Sequence, residues 1–172
     1  MYPSVKKMFW LDFLKRGGKD CNPPATDGPH LDYWQDWDAC GDFAGRGRTD
    51  EPGLVFGVWR PVMMSNPVLD YPLVYMDKRD YGEEVSVPFR QVFKHITPKG
   101  VESAKNLASH VRFKEGQRWY YHSDMTSDEC LLFTHYDTEG KGANIHCAVK
   151  RGVVGEGQDT RTSIENRVLL FF

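Results

Sequence analysis

The sequence predicts a mainly β protein, a sandwich or barrel of short strands, and three observations carry that expectation. Short runs of β-branched and aromatic residues recur from Leu54 onward. Clusters of Gly, Pro, Asn and Asp interrupt them. The chain of 172 residues, 40% apolar and 13% aromatic, suits one domain with a self-sufficient core and not a disordered polymer.

In order along the chain, residues 1–16 have the spacing of a short amphipathic helix, closed by Gly17-Gly18. Cys21 to Pro29 is loop chemistry, His30 to Asp42 is dense in aromatics and carboxylates, and Gly45 to Gly53 reads as a second loop. Strands are expected at Leu54–Trp59, ending at Arg60-Pro61, at Tyr71–Met76 after the Asn66-Pro67 turn, and from Val85 to Phe89. Gln117–Tyr121, Glu129–Tyr136, Ile145–Val149 and Ser163–Phe172 complete the set. The spacing of Val101, Ala104, Leu107 and Ala108 predicts one helix between Pro98 and His110. The expected division is an extension of helix and loop over 1–29 and a single domain over 30–172.

Charge and apolar patterning exclude several classes of function. With 22 Lys and Arg against 24 Asp and Glu, net charge is −2, which argues against bulk attraction to nucleic acid or an anionic membrane. No apolar run approaches the roughly 20 residues of a membrane helix. Met8 to Leu11 is cut short by Asp12 and is too brief for a signal-peptide core. The four cysteines show no CxxC spacing and read as free thiols. A soluble cytoplasmic protein is expected.

His30-Leu31-Asp32 is the first chemical candidate. On extended backbone, side chains two apart share a face, so His30 and Asp32 can address one cavity. With His146 brought in from a distant strand they form a facial triad suited to non-haem Fe(II). The spacing alone discriminates poorly: chance predicts about half an HxD match in such a chain, yet His122-Ser123-Asp124 and His135-Tyr136-Asp137 are present too. Arg161 and Ser163 share a face of the last strand, where a guanidinium fork beside a hydroxyl can hold the far carboxylate of a small dicarboxylate. Arg167 lies on the same face. The plainer alternative is that Arg161 caps the strand end or pairs with Glu165 at the surface, an interaction of little worth.

Three blocks are distinctive: Gly57-Val58-Trp59-Arg60-Pro61-Val62 with Asp70 to Val74 and Asp77, then Arg118 to Phe133 with its RWYY and DMT elements, then Arg161 to Phe172 with R-x-SIE-x-R. Together they resemble the gibberellin-desaturase-like hydroxylase/desaturase family of fungi and bacteria, which includes a component of cephamycin methoxylation. The resemblance covers about residues 29–172. It implies a double-stranded β-helix (jelly-roll, cupin-like) with one or two short helices, and an Fe(II)/2-oxoglutarate oxygenase of secondary metabolism. The family's HxD falls on His30 and Asp32, its later His on His146, and its Arg-x-Ser on Arg161 and Ser163. His122 and His135 fall where the family does not usually carry histidine, which sets both rival pairs aside.

The resemblance thus implies Fe(II) on His30, Asp32 and His146, and 2-oxoglutarate on Arg161 and Ser163 with Arg167. Tyr33, Trp34, Trp59, Arg60, Trp119 and Tyr121 are the candidate substrate pocket, with core packing as their alternative role. The segment from Tyr33 to Trp37 and the loop to Pro52 would form a lid. Two departures stand out: only 29 residues precede His30, and Cys147-Ala148-Val149 follows the second His. They leave a minimal oxygenase, a repurposed member or a homodimer as expectations. The partner expected is a small-molecule natural product, hydroxylated or desaturated. A redox-neutral isomerase, cyclase or lyase on the same scaffold, and a non-catalytic ligand-binding subunit, are the competing functions.

Overall fold

Two antiparallel sheets form the scaffold of the computed structural model, which describes residues 4–17, 28–33, 52–82, 86–97, 100–139, 142–152 and 161–172. The strands are β1 (Lys7–Gly17), β2 (His30–Leu31), β3 (Gly53–Pro61), β4 (Leu73–Met76), β5 (Ser86–Thr97), β6 (Gly100–Val111), β7 (Trp119–Tyr121), β8 (Leu131–Asp137), β9 (His146–Ala148) and β10 (Thr162–Phe171). Sheet order is β1-β10-β3-β8 in one layer and β5-β6-β2-β9-β4-β7 in the other. Apart from the β5–β6 hairpin, neighbouring strands are non-sequential, so distant segments meet, which is how a site can be assembled from residues 30, 146 and 161.

Strict alternation explains which side chains enter the space between the layers. In β3 the odd positions Val55, Gly57, Trp59 and Pro61 are buried while Arg60 is exposed. In β10 Ser163, Glu165, Arg167, Leu169 and Phe171 face inward. This inward face is polar in its first half and apolar in its second. The apolar half joins Tyr33, Val55 and Tyr136 in one core cluster, whereas Trp59, Leu73 and Phe133 bring both sheets together in another. The site therefore sits at one end of the interlayer space, with a dry core behind it.

Both expected helices are corrected. Residues 7–17 are a strand paired with β10 from Lys7↔Phe171 to Gly17↔Thr162. Phe9 and Leu11 pack on the core while Met8, Trp10 and Phe13 are exposed, a period of two broken by a bulge between Trp10 and Asp12. The helical spacing at 101–108 is overridden because β6 pairs along its whole length with β5, from Thr97↔Gly100 to Ser86↔Val111. Cross-strand pairing supplies what local propensity does not. The only helical turn among the described residues is 3-10, at Lys78–Asp80.

Candidate active site

Strand β2 is two residues long, yet it lies between β6 and β9 and places His30 directly opposite His146. The two rings are 4.6 Å apart. Each is oriented by its own chain: His30 Nδ1 donates to the carbonyl of Gly28 at 2.7 Å, and His146 Nδ1 to the carbonyl of Asn144 at 3.0 Å. That fixes the tautomer and leaves both Nε2 lone pairs turned inward. They converge on Asp32: His30 Nε2 is 3.6 Å from Oδ1 and His146 Nε2 is 3.5 Å from Oδ2. Each of the three offers a ligand atom within 4.8 Å of the others'. Burial, followed by the neighbouring His30, pushes His146 down to about 4, so its imidazole is neutral at physiological pH. Burial raises the Asp32 carboxyl, but Arg167, His135 and His146 together hold it well below the usual range.

His135 enters the same cluster. Its Nδ1 lies 2.9 Å from Asp32 Oδ2 and its Nε2 3.1 Å from Glu165 Oε1. Burial lowers its proton affinity, but contact with the two carboxylates reverses that and raises it above the ordinary value. Glu165 is held down to about 2: burial opposes ionisation, while His135 and Arg167 favour it more strongly. Arg167 Nε is 3.2 Å from Glu165, and its Nη1 donates to the Tyr33 hydroxyl at 3.3 Å.

Arg161 is different. Its Nε donates to Ser163 Oγ at 2.9 Å and its Nη1 to the carbonyl of Tyr71 at 2.8 Å, and the guanidinium lies 5.0 Å from the Trp59 ring. Among the described residues no carboxylate comes within ion-pair distance of it. Burial, and then nearby Arg16, lower it to about 10, still charged at neutral pH. Tyr71 presents its carbonyl from a left-handed backbone (φ 51°), held because Asp70 Oδ1 accepts from the amides of Tyr71, Arg151 and Gly152.

The structure thus brings His30, Asp32, His146, Arg161, Ser163, Arg167 and Trp59 together. The other pocket candidates among the described residues do not line that cavity, although Tyr33 touches Arg167 from behind it. Arg60 points outward and its Nε donates to the carbonyl of Ser127, as strand alternation requires. Tyr33 is 1% exposed within the core. Trp119 packs beside Leu31 and Met76, and Tyr121 is exposed on an edge strand under Arg151. Trp34 and the expected lid to Trp37 and beyond lie outside the described residues. The pair His122-Asp124 is at the surface, where His122 faces Glu129.

Sequence reasoning missed three contributors. Arg16 lines the cavity from a strand read as helix. Glu165, read as a surface partner of Arg161, is buried against His135 instead. His135, set aside with its HxD pair, is in the cluster, and the pattern gave no sign of it because the relevant partner is Asp32 and not Asp137.

The comparisons follow from this geometry. The two-sheet fold is that of the iron and alpha-ketoglutarate-dependent endoperoxidase NvfI: 97% of this chain superposes on 63% of that chain with a TM-score of 0.74, at 24% identity. Residues 51–171 match the family described as the oxidoreductase/YMDC permease-like domain, and the chain belongs to it. It is 35% identical over 118 residues to the Fe(II)/2-oxoglutarate-dependent dioxygenase nvfI of Aspergillus novofumigatus, covering 67% of this chain and 40% of that protein. It is 30% identical over 128 residues to the hydroxylase/desaturase asaB of Aspergillus flavus, covering 69% and 55%. The chain therefore spans about half the length of these curated relatives, or less. No helix among the described residues is long and apolar enough to cross a membrane.

Proposed function

We propose that this chain is an Fe(II)/2-oxoglutarate-dependent dioxygenase that hydroxylates or desaturates a small-molecule natural product. The single observation that carries the reading is the convergence of two tautomer-fixed imidazoles on the Asp32 carboxylate, beside the buried Arg161 guanidinium, which no carboxylate of the described residues approaches to ion-pair distance. The donor set fits ferrous iron: two imidazole Nε2 atoms and one carboxylate oxygen on one face. The anion site fits too, since a buried cation with no carboxylate of the described residues at ion-pair distance favours an anionic ligand. Trp59, at the cavity wall, also has a buried indole N–H without an acceptor.

His30, Asp32 and His146 would hold the iron, and Arg161, pre-set by Ser163 and Tyr71, would hold the far carboxylate of 2-oxoglutarate. Bound there, the pair supplies dioxygen activation coupled to oxidative decarboxylation. The protein's part is to aim both Nε2 atoms inward, to keep His146 neutral and Asp32 ionised, and to orient the dicarboxylate. Arg167 is engaged with Glu165 and Tyr33, so its role is to hold these groups and not to grip the cosubstrate. The cavity has a volume of about 20 Å³, room for an ion or a water. Entry of a five-carbon dicarboxylate therefore requires it to open.

Anaerobic Fe(II) titration tests the reading. A visible charge-transfer band requiring both Fe(II) and 2-oxoglutarate is expected. It should vanish in His30→Ala, and in Arg161→Ala the 2-oxoglutarate needed should rise at least about 30-fold, as for a buried charge pair losing one member. Turnover that ignores chelator, dioxygen and 2-oxoglutarate would replace this reading with a redox-neutral one. We further infer a homodimer through the outer face of the four-stranded sheet. Met8, Trp10 and Leu132, each 60% exposed or more, support it. Concentration-independent monomer mass in sedimentation would exclude it.

A further inference from the structure

The register of β3 against β8 contains one irregularity. Val55 pairs with Tyr136 and Phe56 with Thr134, so His135 is the extra residue of a β-bulge. A bulge re-aims a side chain out of strict alternation. Phe133 and His135 face inward by ordinary alternation, and the bulge turns Tyr136 inward beside them, so that all three are buried. Room for the imidazole comes from Gly57 across the ladder: a Cβ at that position would collide with His135 Nε2. Phe133 flanks the ring at 4.7 Å between centroids. A missing side chain and an aromatic wall together serve the placement of one imidazole.

That imidazole does not border the cavity, and its side chain is 0% exposed. It cannot touch substrate. What it touches is Asp32 Oδ2 on one side and Glu165 Oε1 on the other. We propose that His135 is a positioning residue, a bridge that fixes the Asp32 carboxylate and ties it to Glu165 and Arg167 on β10. The proposal rests on the assignment of Asp32 as a metal ligand. It links the metal end of the site to the strand that carries the anion end. The same three residues could offer atoms to a second cation, but Arg167 Nε is already 3.2 Å from Glu165 Oε1 and its Nη1 4.0 Å from Asp32 Oδ2. A guanidinium holds that place.

Co(II), a spectroscopic stand-in for Fe(II), tests this without turnover. Its dissociation constant and d–d absorption are measured in the full chain and in His135→Phe, His135→Asn and Gly57→Ala, with circular dichroism to verify folding. His135→Phe removes both contacts, and a 10- to 100-fold weaker Co(II) affinity with an altered d–d band is expected, about the scale seen when an outer partner of a ligand is lost. His135→Asn keeps a donor near the Nδ1 position and should recover part of the affinity. Gly57→Ala keeps the imidazole but displaces it, and should weaken binding in the same direction. His122→Asn, at the surface, should change nothing. Folded His135 and Gly57 variants with the parent affinity and band would overturn the bridge. A parent chain that binds no Co(II) would instead overturn the ligand assignment, and the bridge with it.

Discussion

At the scale of single residues, the two histidines His135 and His146 are buried side by side with opposite electrostatics. His146 is held down to about 4, so between about pH 6.5 and 4 the unfolded chain binds more protons than the folded one. Metal-free protein should therefore lose stability as pH falls through that window, by up to about 3 kcal/mol. His135 is shifted upward, so its contribution is complete below about pH 6.5 and is lost as pH rises through its folded-state value. Urea midpoints of chelator-treated protein should thus peak between the two limits, and His146→Gln should flatten the acid limb. An acid limb equally steep in that variant would mean that other groups govern it. That His30, Asp32 and His146 meet was an expectation from residue type and spacing, since imidazole and carboxylate on one face suit iron. The place of His135 was not legible, since its partners Asp32 and Glu165 and the space left by Gly57 all lie in other parts of the sequence.

At the scale of elements, the corner before β4 sets the anion end of the site. Asp70 accepts three backbone amides through one oxygen and is 4% exposed. Asp70→Ala leaves these donors without their acceptor and should cost about 3 kcal/mol. It should also raise the 2-oxoglutarate concentration needed for the charge-transfer band, because Tyr71 no longer holds its carbonyl against Arg161. Denaturation midpoints and the anaerobic titration measure the two effects separately, and an unchanged titration would detach the corner from the site. Asn144 does similar service between β8 and β9: its side chain accepts from Thr134 N while its carbonyl orients His146. Neither device shows in periodicity, as both use backbone groups that every sequence possesses. The strands themselves were legible from β-branched runs and Gly/Pro breaks. The two helical readings failed because strand pairing to distant partners is absent from any local window.

At the scale of the molecule, the sheets are polarised. One end of the interlayer space gathers Asp32, Glu165, His135, His146, Arg161 and Arg167, and the other gathers Val55, Tyr136, Leu169 and Phe171. Leu169 is 0% exposed, and Leu169→Ala should cost 2–5 kcal/mol with little change in Co(II) affinity, read from denaturation and titration of the same sample. A proportionate loss of metal affinity would show that the two ends are mechanically one.

The single strand β10 carries both ends, and that has a consequence for how the chain finds its shape. Slipping β10 by two residues against β1 and β3 would preserve which side chains face inward, so in/out alternation cannot reject it. Such a slip would set Leu169 in the place of Arg167 beside Asp32 and Arg167 in the place of Glu165 against His135, which takes the guanidinium from a buried carboxylate at considerable cost. The charged cluster therefore acts as a key that admits one alignment of ten residues and refuses its neighbours. A protein altered at Glu165 or Arg167 should lose part of that discrimination, with slower, heterogeneous refolding as the expected outcome.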